Sequence, residues 1–102
     1  MKLRYTPQAI EDLREIRDYV GITLKNPAAA DRIARRILEA CERLTLFPCS
    51  GMSFEEKTGY VSDLRVLFLE NYLAVYRVEA EYVSVARILD ARQDYCALLF
   101  ED

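Results

Sequence analysis

Twice near the start of the chain a side chain suited to capping a helix stands immediately before a proline, at Thr6-Pro7 and at Asn26-Pro27. A side-chain oxygen at such a position accepts an orphan N–H of the first turn, and proline's fixed φ suits the first helical residue. After the first signal Ile10, Leu13, Ile16, Val20 and Leu24 recur at three- and four-residue steps, with Glu11, Asp12, Arg14, Glu15 and Asp18 on the opposite face. After the second, Ala30, Ile33, Ala34, Ile37, Cys41 and Leu44 form another stripe that stops before Pro48. This period predicts amphipathic helices over roughly 7–25 and 27–47. With almost no linker between them they form an antiparallel hairpin, whose buried side is expected to hold Ile10, Leu13, Ile16, Val20, Ile33, Ile37, Cys41 and Leu44.

The rest of the chain reads as strands. Lys2 to Tyr5 alternates polar and apolar residues, and three β-rich runs, 64–69, 72–78 and 82–89, are separated by Glu70-Asn71 and Glu79-Ala80-Glu81. These separations suit hairpin turns. Residues 48–63 carry mixed signals and read as a connecting loop with room for one short strand. The order β-α-α-β-β-β segregates helices from sheet, so the expected class is α+β: an N-terminal strand and an antiparallel two-helix hairpin packed on a mainly antiparallel sheet. A length of 102 residues fits one domain, 1–102.

Composition narrows the function. The sequence is 52% hydrophobic and 30% charged with three glycines and three prolines, which is that of a folded domain. A net charge of −3 provides no global field for holding nucleic acid, so any such contact is local. Histidine is absent, which removes the usual general base near neutral pH and the commonest zinc ligand. No phosphate-cradling, nucleophile-elbow or zinc-protease motif occurs, and neither a cofactor nor a metal is expected. Cys41, Cys49 and Cys96 are too few and too widely spaced for a disulfide framework. With no apolar run long enough for a membrane span and no signal-like start, a cytoplasmic location is expected.

Arginines mark the candidate binding surface. Between Asp63 and Asp94 the acidic residues lie at or beyond strand ends, whereas Arg65, Arg77 and Arg87 lie within strands and Arg92 follows the last one. If each turn has two central residues, Arg65, Tyr76 and Arg87 share one sheet face and Leu73, Val75, Arg77 and Ala86 the other. Guanidinium groups suit carboxylate and phosphate recognition, so Arg65, Tyr76, Arg77, Arg87 and Arg92 are the candidate binding residues. Against this, strand arginines commonly pair with nearby acids, and strand tyrosines commonly pack half-buried. Arg32, Arg35 and Arg36, mixed with Glu39 and Glu42, read as an ordinary solvated helix face.

The run Tyr72-Leu-Ala-Val-Tyr76-Arg77-Val78, with Val83-Ser-Val-Ala-Arg87-Ile-Leu89-Asp-Ala-Arg92-Gln-Asp94-Tyr95, resembles the last strands and arginine-bearing tail of the RelE/ParE toxin superfamily. Leu44-Thr-Leu-Phe47-Pro48-Cys-Ser-Gly51 resembles the helix-to-loop signature of its ParE branch, and the opening strand with Thr6-Pro7-Gln-Ala-Ile-Glu-Asp-Leu13 resembles its start. The resemblance implies a bacterial type II toxin–antitoxin (plasmid stabilisation) system, a cognate antitoxin as partner, and inhibition of DNA gyrase by binding. The alternatives it implies are a ribosome-dependent mRNA endonuclease acting on ribosome-bound mRNA, with Arg77, Arg92 and Tyr95 as the catalytic candidates, or a non-toxic degenerate member. Leu73, Leu64 and Val66 stand where the ribonucleases carry cations, and no residue stands out as the base, which favours the gyrase reading. A homodimer and a toxin–antitoxin hetero-oligomer are the assemblies in view.

Overall fold

The computed structural model describes residues 1–100. Strand β1 (Lys2–Tyr5) leads into helix α1 (Pro7–Asp18), where the Thr6 hydroxyl accepts the Ala9 N–H at 3.1 Å and donates to the Ala86 carbonyl at 2.7 Å. One side chain thus starts the helix and pins it to the sheet. The expected run to residue 25 is broken into two parts, because the last turns widen into a π-helical segment, Tyr19–Thr23. Lys25 then takes a left-handed φ of 55° and reverses the chain. Asn26 caps α2 (Pro27–Arg43) by accepting the Ala29 N–H, and the expected helix over 44–47 is replaced by tight turns before Pro48.

The expected connecting segment holds the one short strand it had room for, β2 (Met52–Ser53), and in addition a short helix that was not expected, α3 (Phe54–Thr58). The meander follows as β3 (Arg65–Leu69), β4 (Tyr72–Val78) and β5 (Tyr82–Asp90), and a further short helix, α4 (Tyr95–Phe100), closes the described chain. The sheet order is β1-β5-β4-β3-β2, antiparallel except that β1 runs parallel to β5. Both turns have two central residues: Leu69 pairs with Tyr72, Glu70 taking φ 59°, and the Glu79 N–H bonds the Tyr82 carbonyl. The expected face assignment still fails in one respect. An irregularity at Val75/Tyr76 sets Tyr76 opposite Val85 but Val75 opposite Arg87. A bulge flips the alternation beyond it, so Arg87 does not share a face with Arg65 and Tyr76.

The hairpin covers one face of the sheet. Ala9, Ile37, Cys41 and Leu44 are buried there against Ala74, Tyr76, Val83, Val85 and Ile88, with Leu13, Ile16 and Ile33 half-buried around them and Val20 buried against Ala29 and Ala30. Ile10, expected in this core, is 51% exposed. The inward line of α1 runs through Ala9, Asp12, Leu13 and Ile16, and one helical step of about 100° carries Ile10 out of it. On the other face Phe54, Leu64, Val66, Leu73, Val75 and Leu89 form a second core capped by α3 and by Tyr95, Cys96 and Leu99 of α4.

Candidate functional site

Tyr76 and Arg65, paired across β3 and β4, organise the loop after α2. The Tyr76 ring is fully buried; its hydroxyl donates to the Pro48 carbonyl at 2.8 Å and accepts the Gly51 N–H at 3.0 Å. Arg65 donates from one terminal nitrogen to the Cys49 and Gly51 carbonyls, at 3.1 and 2.6 Å. A Cβ on Gly51 would lie 2.6 Å from that hydroxyl and 2.7 Å from the Val66 carbonyl, so only glycine permits the approach. Of the five binding candidates these two are therefore inward-facing, and Tyr76 offers no surface to a partner.

Arg87 also faces inward in its contacts. It grips Asp12 of α1 with two bonds, Nε at 2.8 Å and a terminal nitrogen at 3.1 Å, while the same carboxylate accepts the Ile88 N–H at 3.0 Å. Asp12, placed by periodicity on the solvent face of α1, is instead 5% exposed. Its role follows from topology: β1 pairs with β5 only as far as Val85, and Asp12 satisfies the strand edge that β1 leaves open.

Arg77 and Arg92 remain outward, with side chains 43% and 73% exposed. Arg77 donates to Asp63 at 2.7 Å and borders a groove of about 240 Å³ with Arg4, Glu79 and Ser84. Arg92 holds Asp90 through two bonds of 2.9 and 2.6 Å in a separate groove of about 450 Å³ that Tyr19, Tyr72 and Leu98 also line. Each guanidinium keeps its carboxylate below the usual range, Asp63 through Arg77 and Asp90 through Arg92. Tyr95 turns its ring edge toward Phe54, centroids 6.2 Å apart. The three catalytic candidates Arg77, Arg92 and Tyr95 are thus split among two grooves and a packed core.

The sequence reading passed over Lys2 and Arg4. Arg4 donates to the Ser84 hydroxyl at 2.7 Å, pairs with Glu79 and lies 4.4 Å above the Tyr82 ring. Arg4, Ser84 and Arg77 are cross-strand neighbours on β1, β5 and β4, on the face away from the hairpin. The available signal was the cation at every second residue of Lys2-Leu3-Arg4-Tyr5. Among the cysteines, Cys41 is buried and burial pushes its thiol up to about 11, whereas Cys49 is exposed.

A helical hairpin laid on a small, mostly antiparallel sheet, with exposed arginine–carboxylate pairs bordering two grooves, defines the α+β class to which this chain belongs. The family model for the ParE toxin of the type II toxin–antitoxin system parDE matches residues 3–95. The protein named as a candidate toxin, Y4kP, of Sinorhizobium fredii is 30% identical over 100 residues, covering 96% of each chain. A solved structure of the chromosomal ParDE TA system from P. aeruginosa contains a chain that superposes with a TM-score of 0.76 at 26% identity, covering 90% of this chain and 97% of that one. The chain belongs to the ParE toxin family.

Proposed function

We propose that this ParE-family chain is a toxin that acts by binding, with DNA gyrase as its target, and that a cognate antitoxin neutralises it. The observation that carries this reading is the dispersal of Arg77, Arg92 and Tyr95. Cleavage of RNA needs a base, a charge stabiliser and an acid within reach of one phosphodiester. Here Arg77 and Arg92 line different grooves and Tyr95 packs on Phe54. With no histidine in the sequence, no obvious base supplements them. An antitoxin partner is supported by the similarity to a chain of the P. aeruginosa ParDE system.

The binding role falls on Arg77 and Arg92, because Arg65 and Arg87 are committed to the Pro48–Gly51 loop and to Asp12. An acidic antitoxin segment can displace or bridge the exposed pairs with Asp63 and Asp90. Purified gyrase separates the readings: inhibited supercoiling or trapped cleaved DNA supports the proposal, and codon-positioned cuts in ribosome-bound mRNA would overturn it. The Arg77→Ala/Arg92→Ala double variant is expected to lose antitoxin affinity, toxicity or both, while Arg35→Ala/Arg36→Ala keeps both. Binding titrations and growth assays check this, and equal behaviour of the two pairs makes the sheet arginines structural.

A further inference from the structure

Ile10 of α1 and Leu38 of α2 are apolar residues left 51% and 40% exposed, and the register of the hairpin brings them to the same place. Arg17 of α1 reaches Asp31 of α2 at 3.7 Å, and the hydroxyl of Tyr5, just ahead of the cap of α1, bonds Cys41 toward the end of α2. These two contacts fix the antiparallel register. Seven residues back from Arg17 stands Ile10, and seven forward from Asp31 stands Leu38. Seven residues make about two turns, or roughly 10 Å of helix, so the second pair keeps the flank of the first. Ile10 and Leu38 therefore stand at one level, on the solvent side of the seam between the two helices.

The ions along this seam are of two kinds. Arg14 pairs with Glu11 and Arg17 with Asp31, each within the hairpin. Arg35 and Glu42, both exposed, enter no ion pair among the described residues. They stand three residues before Leu38 and four after it, which puts all three on one stripe of α2. That stripe is its own complement. When a second copy of α2 is laid on it antiparallel, about a two-fold axis through Leu38, leucine meets leucine and Arg35 of each copy meets Glu42 of the other. Parallel docking would instead oppose like charges at both positions, so the orientation is specified. An acidic partner would be repelled at Glu42 and a basic one at Arg35. The stripe calls for a partner carrying both signs in reversed order, and a second copy of this helix does.

We propose that two copies of this chain associate through the outer seam of the hairpin, α2 against α2 antiparallel, with Leu38 at the centre, Ile10 beside it on each copy and an Arg35–Glu42 pair at either end. The dimer is independent of the gyrase and antitoxin readings. Arg77 lies on the sheet face away from the hairpin and Arg92 in the groove beyond Asp12 and Glu15, so both stay open on each copy. Sedimentation equilibrium of the full chain from about 1 to about 300 µM is the measurement, and a monomer–dimer equilibrium is expected. Leu38→Glu should weaken it by about a hundredfold, because it sets two carboxylates at the centre of the contact. Arg35→Glu and Glu42→Arg each oppose like charges at both ends, and each alone should weaken self-association by about tenfold or more. Mixed in equal amounts, these two single variants should associate with one another to within about threefold of the wild-type affinity, since every contact then joins opposite charges again. All three positions are exposed, and an unchanged melting temperature of each variant monomer separates lost association from lost fold. A wild-type chain that stays monomeric over the whole range overturns the proposal, and so does a dimer that Leu38→Glu leaves intact. Mixed variants that remain monomeric overturn the antiparallel register. If the wild-type chain is monomeric and Leu38→Glu weakens its binding to the product of the adjoining gene, the seam belongs to the antitoxin and the second copy is the wrong occupant.

Discussion

At the scale of single residues the largest electrostatic commitment is Asp12, nearly buried, with two bonds from Arg87 and one from the Ile88 N–H. Removing one partner of a buried pair leaves the other uncompensated, which costs more than the pair contributes. Asp12→Ala is expected to lose roughly 3 kcal/mol in denaturant unfolding, since it strands both Arg87 and a strand-edge donor. A loss under about 1 kcal/mol would mean that water replaces the carboxylate at that edge. The cysteines divide just as sharply. Exposed Cys49 should react with a thiol reagent in the native protein at pH 8, while buried Cys41 should react only after unfolding. The Cys41 thiol, raised from 9.0 to about 11, also sets a pH dependence. A folded pKa above the unfolded one gives stability that is complete below about 9 and lost as pH rises through about 11; Tyr5, raised too, acts in the same direction. A melting temperature flat across that window would contradict the assignment.

Among the elements, the loop from Pro48 to Gly51 shows how a segment without regular hydrogen bonding is held. Three of its carbonyls and one amide are taken by the Tyr76 hydroxyl and the Arg65 guanidinium, so its conformation is imposed by the sheet beneath it. Two variants separate sterics from hydrogen bonding. Gly51→Ala should lose about 1–3 kcal/mol by overpacking against Tyr76 and the Val66 carbonyl. Tyr76→Phe keeps the packing but leaves the Gly51 N–H and Pro48 carbonyl unpaired, for a loss of about 1–3 kcal/mol. Combining the two should cost less than the sum, because Phe removes the oxygen that the new methyl meets. Thermal or urea unfolding of the three variants measures this. Helix starts behave oppositely to this loop: Thr6 and Asn26 cap α1 and α2 through bonds three residues away, which is why both starts were legible from short motifs.

For the whole molecule, one sheet carries two cores, the larger under the hairpin and the smaller under α3 and α4. Stability therefore rests on burial across both faces, and the hairpin core should dominate. Ile37→Ala, on the sheet-facing side of α2 at 2% exposure, is expected to cost about 2–5 kcal/mol by cavity formation. No three metal-ligating side chains converge among the described residues, and the melting temperature should be the same with and without EDTA. A chelator-induced drop would point to a metal held by a partner surface or a second copy.

What the sequence determined by itself is the part governed by local chemistry. Cap-proline pairs, a 3.6-residue period and short turns act over a few residues, and they predicted the hairpin and the meander with its short turns. Tertiary structure decided the rest, for reasons that local pattern does not contain. The bulge at Val75/Tyr76 turned Arg87 off the expected face because one unmatched residue reverses every later alternation. Asp12 became buried because β1 ends at Tyr5 and leaves the edge of β5 unsatisfied. Arg65 and Tyr76 went to the loop, and Arg77 and Arg92 stayed outward. An arginine reads the same in sequence whether its nearest carboxylate lies on its own strand, on a helix seventy-five residues away or on a partner, and only the packed fold distinguishes those distances.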